Sequence, residues 1–192
     1  ALPISVKGLG GFHLACDATS DAAVGLLRQR KGRVDKPFAV MVADLTTARS
    51  IAHVDADEAR LLASRERPIV LLEKRPDANV SDLVAPGNGS FGIMLPYTPL
   101  HDLLVAPGDV WVMTSGNLAE EPIVIDNDEA FDRLDRLADG FVYHDRDIHV
   151  PCDDSVVRML DGVEYPIRRS RGHAPFPVPL PVGELLVTSS GT

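Results

Sequence analysis

Residues 28–36 read Arg28-Gln29-Arg30-Lys31-Gly32-Arg33-Val34-Asp35-Lys36, five cations and one acid in nine positions. Such density stands out in a chain whose formal net charge is −9. Arg28 and Arg30 fall in the last turn of a predicted helix, where the aligned peptide dipoles favour cations. Lys31, Arg33 and Lys36 continue past Gly32 toward the next strand, where that dipole does not account for them. Convergent cations at a helix–strand junction suit a polyphosphate, because arginine offers planar two-point contacts and lysine a compact point charge. A solvated basic face is the competing reading.

Two further stretches have residue types suited to chemistry. Lys7-Gly8-Leu9-Gly10-Gly11-Phe12-His13-Leu14 follows the first predicted strand, and its glycines let the backbone turn sharply and approach a ligand. It has neither the Lys-Ser/Thr ending of a P-loop nor the third glycine of a dinucleotide fingerprint, so alone it reads as a turn. Thr114-Ser115-Gly116-Asn117 closes an apolar strand, and ligands of open α/β sheets sit outside the carboxyl ends of strands. A hydroxyl, a glycine and an amide there can bond phosphate or sugar, although the same types favour ordinary turns. Asp153-Asp154 offers carboxylate oxygens to magnesium, against the plainer reading of a solvated turn. The histidines, His13, His53, His101, His144, His149 and His173, show no His-Glu-x-x-His pattern, and no Ser-His-Asp or Cys-His set is recognisable from spacing.

These stretches need a scaffold. Short apolar segments at 3–7, 38–42, 68–72, 91–95, 110–114, 140–144, 155–160 and 163–167 read as strands. Helices fit 20–31, 55–64, 99–105 and 127–138. In the last of these Asn127 is the expected cap, Phe131, Leu134 and Leu137 or Ala138 recur at helical spacing, and Gly140 lies just beyond the end. Alternating strands and helices predict a mixed α/β sheet with packed helices. Ala174-Pro175-Phe176-Pro177-Val178-Pro179-Leu180-Pro181 places proline at every second position, which favours an extended linker. The expected division is one domain over 1–173, then a linker and the opening of a following domain over 174–192, the whole cut from a longer polypeptide.

The 192 residues suffice for one domain with a sizeable core, and 45% apolar with 24% charged residues is an ordinary globular balance. No apolar run approaches the ~18 residues that span a bilayer, and no basic-then-apolar leader opens the sequence. Cys16 and Cys152 form no CxxC pair and read as reduced thiols of a cytoplasmic protein. The acidic balance opposes general attraction to nucleic acid, whose binding rests on neutralising phosphates.

Read in order, six stretches resemble the YrdC-like domain of HypF-type carbamoyltransferases. They are Lys7-Gly8-Leu9-Gly10-Gly11-Phe12-His13-Leu14-Ala15-Cys16-Asp17-Ala18, Lys36-Pro37-Phe38-Ala39-Val40-Met41, Met94-Leu95-Pro96-Tyr97-Thr98-Pro99-Leu100-His101, Thr114-Ser115-Gly116-Asn117-Leu118, Cys152-Asp153-Asp154-Ser155-Val156-Val157-Arg158 and Arg168-Arg169-Ser170-Arg171-Gly172. The resemblance implies a single YrdC-like domain, a twisted open mixed sheet flanked by helices, with a concave basic face that binds ATP. Its lysine–x–arginine and serine–x–asparagine pairs map onto Lys31 with Arg33 and Ser115 with Asn117. Lys36 joins the phosphate cations, and Ser155, Arg168 and Arg169 hold the later nucleotide-side positions. The glycine loop would line the small-substrate end, with Lys7 and His13 as its candidate catalytic side chains.

The reaction implied is formation of carbamoyl-adenylate from ATP and carbamate derived from carbamoyl phosphate. Magnesium would bridge phosphate oxygens, with few protein ligands. The product would pass to a following domain and on to a cysteine of a HypE-type acceptor protein, on the route to the cyanide ligands of nickel–iron hydrogenase. Related enzymes make threonylcarbamoyl-adenylate for tRNA modification, and their opening motif has threonines where this chain has Gly8 and Gly10. They also have an arginine where this chain has Met94, and both departures favour a smaller substrate. A sugar O-carbamoyltransferase domain shares the chemistry, and a non-catalytic module binding double-stranded RNA is a rival of another class.

Overall fold

A computed structural model describes residues 2–118 and 121–177. Nine strands form one mixed sheet: β1 (Ile4–Lys7), β2 (Phe12–Asp17), β3 (Ala39–Val42), β4 (Ile69–Glu73), β5 (Ser90–Met94), β6 (Val110–Ser115), β7 (Phe141–Val142), β8 (Val156–Leu160) and β9 (Val163–Arg168). Their spatial order is β7-β1-β2-β6-β3-β5-β4-β8-β9. The β1–β7, β3–β5 and β4–β8 pairs are parallel and the others antiparallel. This is the mixed α/β sheet that the alternation of elements predicts.

Five helices join it: α1 (Asp21–Lys31), α2 (Leu45–Ile51), α3 (Ala56–Leu62), α4 (Pro99–Leu104) and α5 (Asn127–Leu134). Each starts at a side chain that accepts from an unpaired first-turn N–H, from Ser20, Asp44, Asp55, Thr98 and Asp126 respectively. The cap of α5 is therefore Asp126 and not Asn127, and the helix stops at Leu134. Leu137 and Ala138 stay buried in the turn that follows, which explains why the apolar spacing outlasts the helix.

The two faces of the sheet are dressed unequally. Strand side chains alternate between faces, so Phe12, Leu14, Val40, Val42, Val70, Leu72, Ile93 and Val112 join Leu27, Ile51, Leu62 and Leu134 of α1, α2, α3 and α5 in the larger core. The opposite face carries Val6, Ala15, Met41, Ile69, Met94 and Met113, with Leu100 and Leu104 of α4 packed against it. The remainder of that second face is open, and the cleft lies there.

The glycine loop differs from its expected form. Gly8 N–H donates to the Gly11 carbonyl at 2.9 Å, making a tight hairpin, and Phe12, His13 and Leu14 belong to β2. In the proline-rich segment, residues 178–192 lie outside the described residues. No helix among the described residues is long and apolar enough to cross a membrane.

Candidate functional site

Backbone alternation decides which side chains reach the open face. Val6 pairs with His13, and Lys7 with Phe12. Val6 belongs to the cluster on the α4 side, so His13 faces the cleft and Lys7 the helix-covered face. Lys7 is 1% exposed, lies 5.9 Å from the centre of the Phe12 ring, and donates to the His144 carbonyl at 3.1 Å. It does not join His13 at the cleft, because a strand cannot direct neighbouring residues to one face.

The cleft has two connected parts. An apolar slot of about 280 Å³ is floored by Ala39, Ile69, Leu71, Gly92 and Met113 and walled by Phe38, Val156 and Ile167. His13, Ile123 and Asp154 line it as well. Beside it lies a basic chamber of about 450 Å³ lined by Lys31, Arg33, Lys36, Ser115, Asn117, Asp153 and Arg168. Arg33, Lys36, Ser115, Asp153 and Arg168 line both parts. The structure thus gathers Lys31, Arg33, Lys36, Ser115, Asn117 and Arg168 around one opening.

These groups are not equally free. Lys31 Nζ donates to the carbonyls of Ser115 at 2.6 Å and Asn117 at 2.7 Å, and to Asn117 Oδ1 at 3.1 Å. Ser115 Oγ donates to the same Oδ1 at 2.7 Å, and Asn117 Nδ2 donates to the Glu121 carbonyl at 2.7 Å. An ammonium has three donors, so Lys31 holds the Ser115–Asn117 turn with all of them. Burial, then the charges of Arg33 and Lys36, bring it down to about 7 against the pull of Asp153. Arg33 donates to Thr114 Oγ1 at 3.1 Å and lies over the Phe38 ring. Burial first, then Arg28 and Arg168, lower its affinity for its proton. Arg168 Nε donates to the Asp154 carbonyl at 2.9 Å.

Ser155 and Arg169 do not reach the opening. Ser155 is fully buried; its Oγ donates to the Arg171 carbonyl at 2.9 Å and accepts from Ser170 N–H at 2.8 Å, tying the start of β8 to the segment after β9. Arg169 donates to the carbonyls of His173 and Phe176, both at 2.8 Å.

Asp153 and Asp154 also part company, so the pair is neither the solvated turn that the sequence favoured nor the shared cation site set against it. Asp154 is buried, with Oδ2 3.0 Å from His13 Nε2 and Oδ1 accepting from Arg171 Nε at 2.8 Å. Burial alone would raise its affinity for a proton, but His13 and Arg171 outweigh it and hold the carboxyl well below the usual carboxylate range. Arg171 spans from there to the carbonyls of Glu66 and Arg67 and lies over the Tyr97 ring at 3.6 Å. Tyr97 and His101 pack edge to face at 4.6 Å behind His13. Residue spacing does not reveal Tyr97 and His101 beside His13, or Arg171 behind Asp154, since these contacts join segments far apart in the sequence. Among the described residues no three His, Cys, Asp or Glu side chains group to hold a metal. Asp35 and Asp153 are the acidic residues that line the chamber, which fits magnesium held chiefly by a ligand's own phosphate oxygens.

The close packing at Gly8 and Gly10 bears on substrate size. A Cβ at Gly8 would stand 2.9 Å from His13 Cε1, and one at Gly10 2.4 Å from Cys152 Sγ. Side chains at these two positions have no room here, because His13 and Cys152 occupy it.

An open mixed sheet flanked by helices defines the class, a single mixed α/β domain. The chain belongs to the family of Sua5, YciO and YrdC: that family's model, described as Telomere recombination, matches residues 3–170. It is 50% identical over 181 residues to the Carbamoyltransferase HypF of Synechocystis sp., covering 93% of this chain and 23% of the relative. It spans about a quarter of the length of the curated relatives it matches. A crystal structure of full-length HypF in the phosphate- and nucleotide-bound form superposes with a TM-score of 0.87 at 46% identity, over 91% of this chain and 28% of that one. T. kodakarensis HypF superposes at 0.88 and 43% identity, over 94% of this chain and 24% of that one.

Proposed function

We propose that this chain is the adenylate-forming domain of a HypF-type carbamoyltransferase, joining carbamate to the α-phosphorus of ATP with release of pyrophosphate. The observation that carries the proposal is the single opening where Arg33, Lys36 and Arg168 border an apolar slot beside the Ser115–Asn117 turn. Nucleotidyl transfer depends on positioning and charge neutralisation more than on a covalent side chain. In this reading the slot takes the adenine, Arg33, Lys36 and Arg168 meet the phosphates, and Lys31 holds the turn that presents Ser115 and Asn117. Magnesium would supply further charge neutralisation, and Asp35 or Asp153 of the chamber could help hold it. His13 marks the small-substrate end, and Lys7 supports that end from the other face through the His144 carbonyl. Ser155 and Arg169 brace the segment that carries Arg168. The HypF named in a nucleotide-bound structure supports the choice of ATP.

Carbamate as the acyl substrate is supported by the crowding at Gly8 and Gly10. A threonine-type loop needs side chains at both places, so a threonylcarbamoyl-adenylate synthase fits less well. An RNA-binding role is opposed by the net charge of −9. By the same resemblance the carbamoyl group passes, in the longer enzyme, to a HypE-type acceptor in the cytoplasm.

Equilibrium titration of the chain with ATP and magnesium tests the site. Arg33→Ala combined with Lys36→Ala should weaken binding at least ~10-fold with the melting temperature nearly kept, since each loses a charge-assisted phosphate contact. Unchanged ATP affinity in the double variant would sink the assignment.

A further inference from the structure

The helix dipole accounts for Arg28 in the sequence, but its surroundings point elsewhere. Arg28 is 8% exposed, and its guanidinium is enclosed by main-chain oxygens. Nε donates to the Leu83 carbonyl, one terminal nitrogen to the carbonyls of Arg33 at 3.2 Å and Val34 at 2.9 Å, and the other to those of Lys36 at 3.4 Å and Val84 at 3.3 Å. The Phe38 ring lies 4.7 Å below it. Three of the five acceptors come from residues 33–36, the segment that carries the two rim cations.

The chain reaches this position by how α1 ends. Gly32 adopts a left-handed conformation (φ 60°), with its N–H on the carbonyls of Arg28 and Gln29, and Arg33 N–H donates back to the Arg28 carbonyl at 3.0 Å. The segment after Gly32 is thereby folded over the last turn of the helix, with the Arg28 fork beneath it. Within 33–37 the described backbone joins no strand or helix, so the fork substitutes for a ladder in fixing where Arg33 and Lys36 stand.

Resting on the nucleotide reading above, we infer that Arg28 is a positioning residue for the phosphate-binding segment, acting by the shape of its donor fork and not by its charge. A lysine at this place keeps the charge but has three donors on one nitrogen, so it cannot span the five carbonyls that the planar guanidinium holds. A displacement of rim cations by about 1 Å is enough to cost on the order of 10²-fold in a site that works by positioning.

The test compares the chain with Arg28→Lys and Arg28→Ala in titrations with ATP and with adenosine. Both variants should bind ATP at least ~10-fold more weakly, within that positioning range, while adenosine, which carries no phosphates for Arg33 and Lys36 to meet, loses much less. Melting temperature and amide exchange across residues 30–40 are read on the same samples, and exchange in 33–37 should accelerate in Arg28→Lys. Wild-type ATP affinity in Arg28→Lys overturns the positioning role, as does equal loss for ATP and adenosine, the mark of a general loss of structure. If Arg28→Ala does not fold, Arg28→Lys and its exchange pattern decide alone, and unchanged exchange in 33–37 overturns the inference. Failure of the unaltered chain to bind ATP would instead remove the nucleotide reading, a separate result.

Discussion

The carboxylate of Asp154 lies between His13 and Arg171, 3.0 Å from one and 2.8 Å from the other. All three side chains are at most 11% exposed, and they come from β2, the segment before β8 and the segment after β9. A buried carboxylate placed between two such partners fixes the imidazole at the cleft wall and closes the end of the sheet over it.

Asp154→Asn should therefore cost both stability and turnover. Removing one member of a buried pair leaves Arg171 without its counter-charge, a loss of about 3 kcal/mol. Because the folded carboxyl titrates below its unfolded value of about 3.9, its contribution is complete above that pH and fades as pH falls further. Urea unfolding at pH 7 should show the deficit, and the two proteins should converge in strongly acid solution. Equal stability at pH 7 would contradict the role given to this carboxylate.

His101 acts on the same acid side, starting at a higher pH. It is fully buried, both ring nitrogens lack partners among the described residues, and burial, then His13, pull it down to about 3. The unfolded chain binds a proton there near pH 6.5 and the folded chain does not, so stability falls as pH drops through 6.5 toward 3. The slope approaches ~1.4 kcal/mol per pH unit for one proton. His101→Phe should flatten the dependence between pH 6.5 and 5, measured by urea unfolding. An unchanged slope would show that His101 takes up a proton in the folded protein.

The sheet was legible in the sequence where apolar residues run continuously, as at Val110–Thr114, and two helices where their stretches open at Ser20 and Asp55. Two elements were not. The glycines before Phe12 read as a loop that runs on to Leu14, although Phe12, Leu14 and Cys16 alternate with His13, Ala15 and Asp17 as β2 requires. α2 is short and carries two threonines, weak helix formers, so its residues are held by the Asp44 cap and by Ala48 and Ile51 in the core. The cation cluster was visible because its residues are adjacent in the chain. The partners of His13 were not, because they meet only through the tertiary fold. The shared face that excludes Lys7 from the cleft followed from strand register, which needs β2 to be known first.

Lys31 offers a test of charge in the chamber. A polyanion bound beside it favours the protonated ammonium, so the value near 7 rises on binding and a proton is taken up. Calorimetric ATP titrations near pH 7.5 in buffers of different ionisation enthalpy should show more uptake by the unaltered chain than by Lys31→Met. Identical proton balances would place the phosphates away from Lys31.

ATP–pyrophosphate exchange, followed with labelled pyrophosphate and magnesium, should depend on free carbamate supplied by ammonium bicarbonate. Carbamoyl phosphate given alone should not replace it in this chain, and threonine with bicarbonate should add nothing. Exchange that proceeds without any carbamoyl source, or that requires threonine, would rule out carbamate as the acyl substrate.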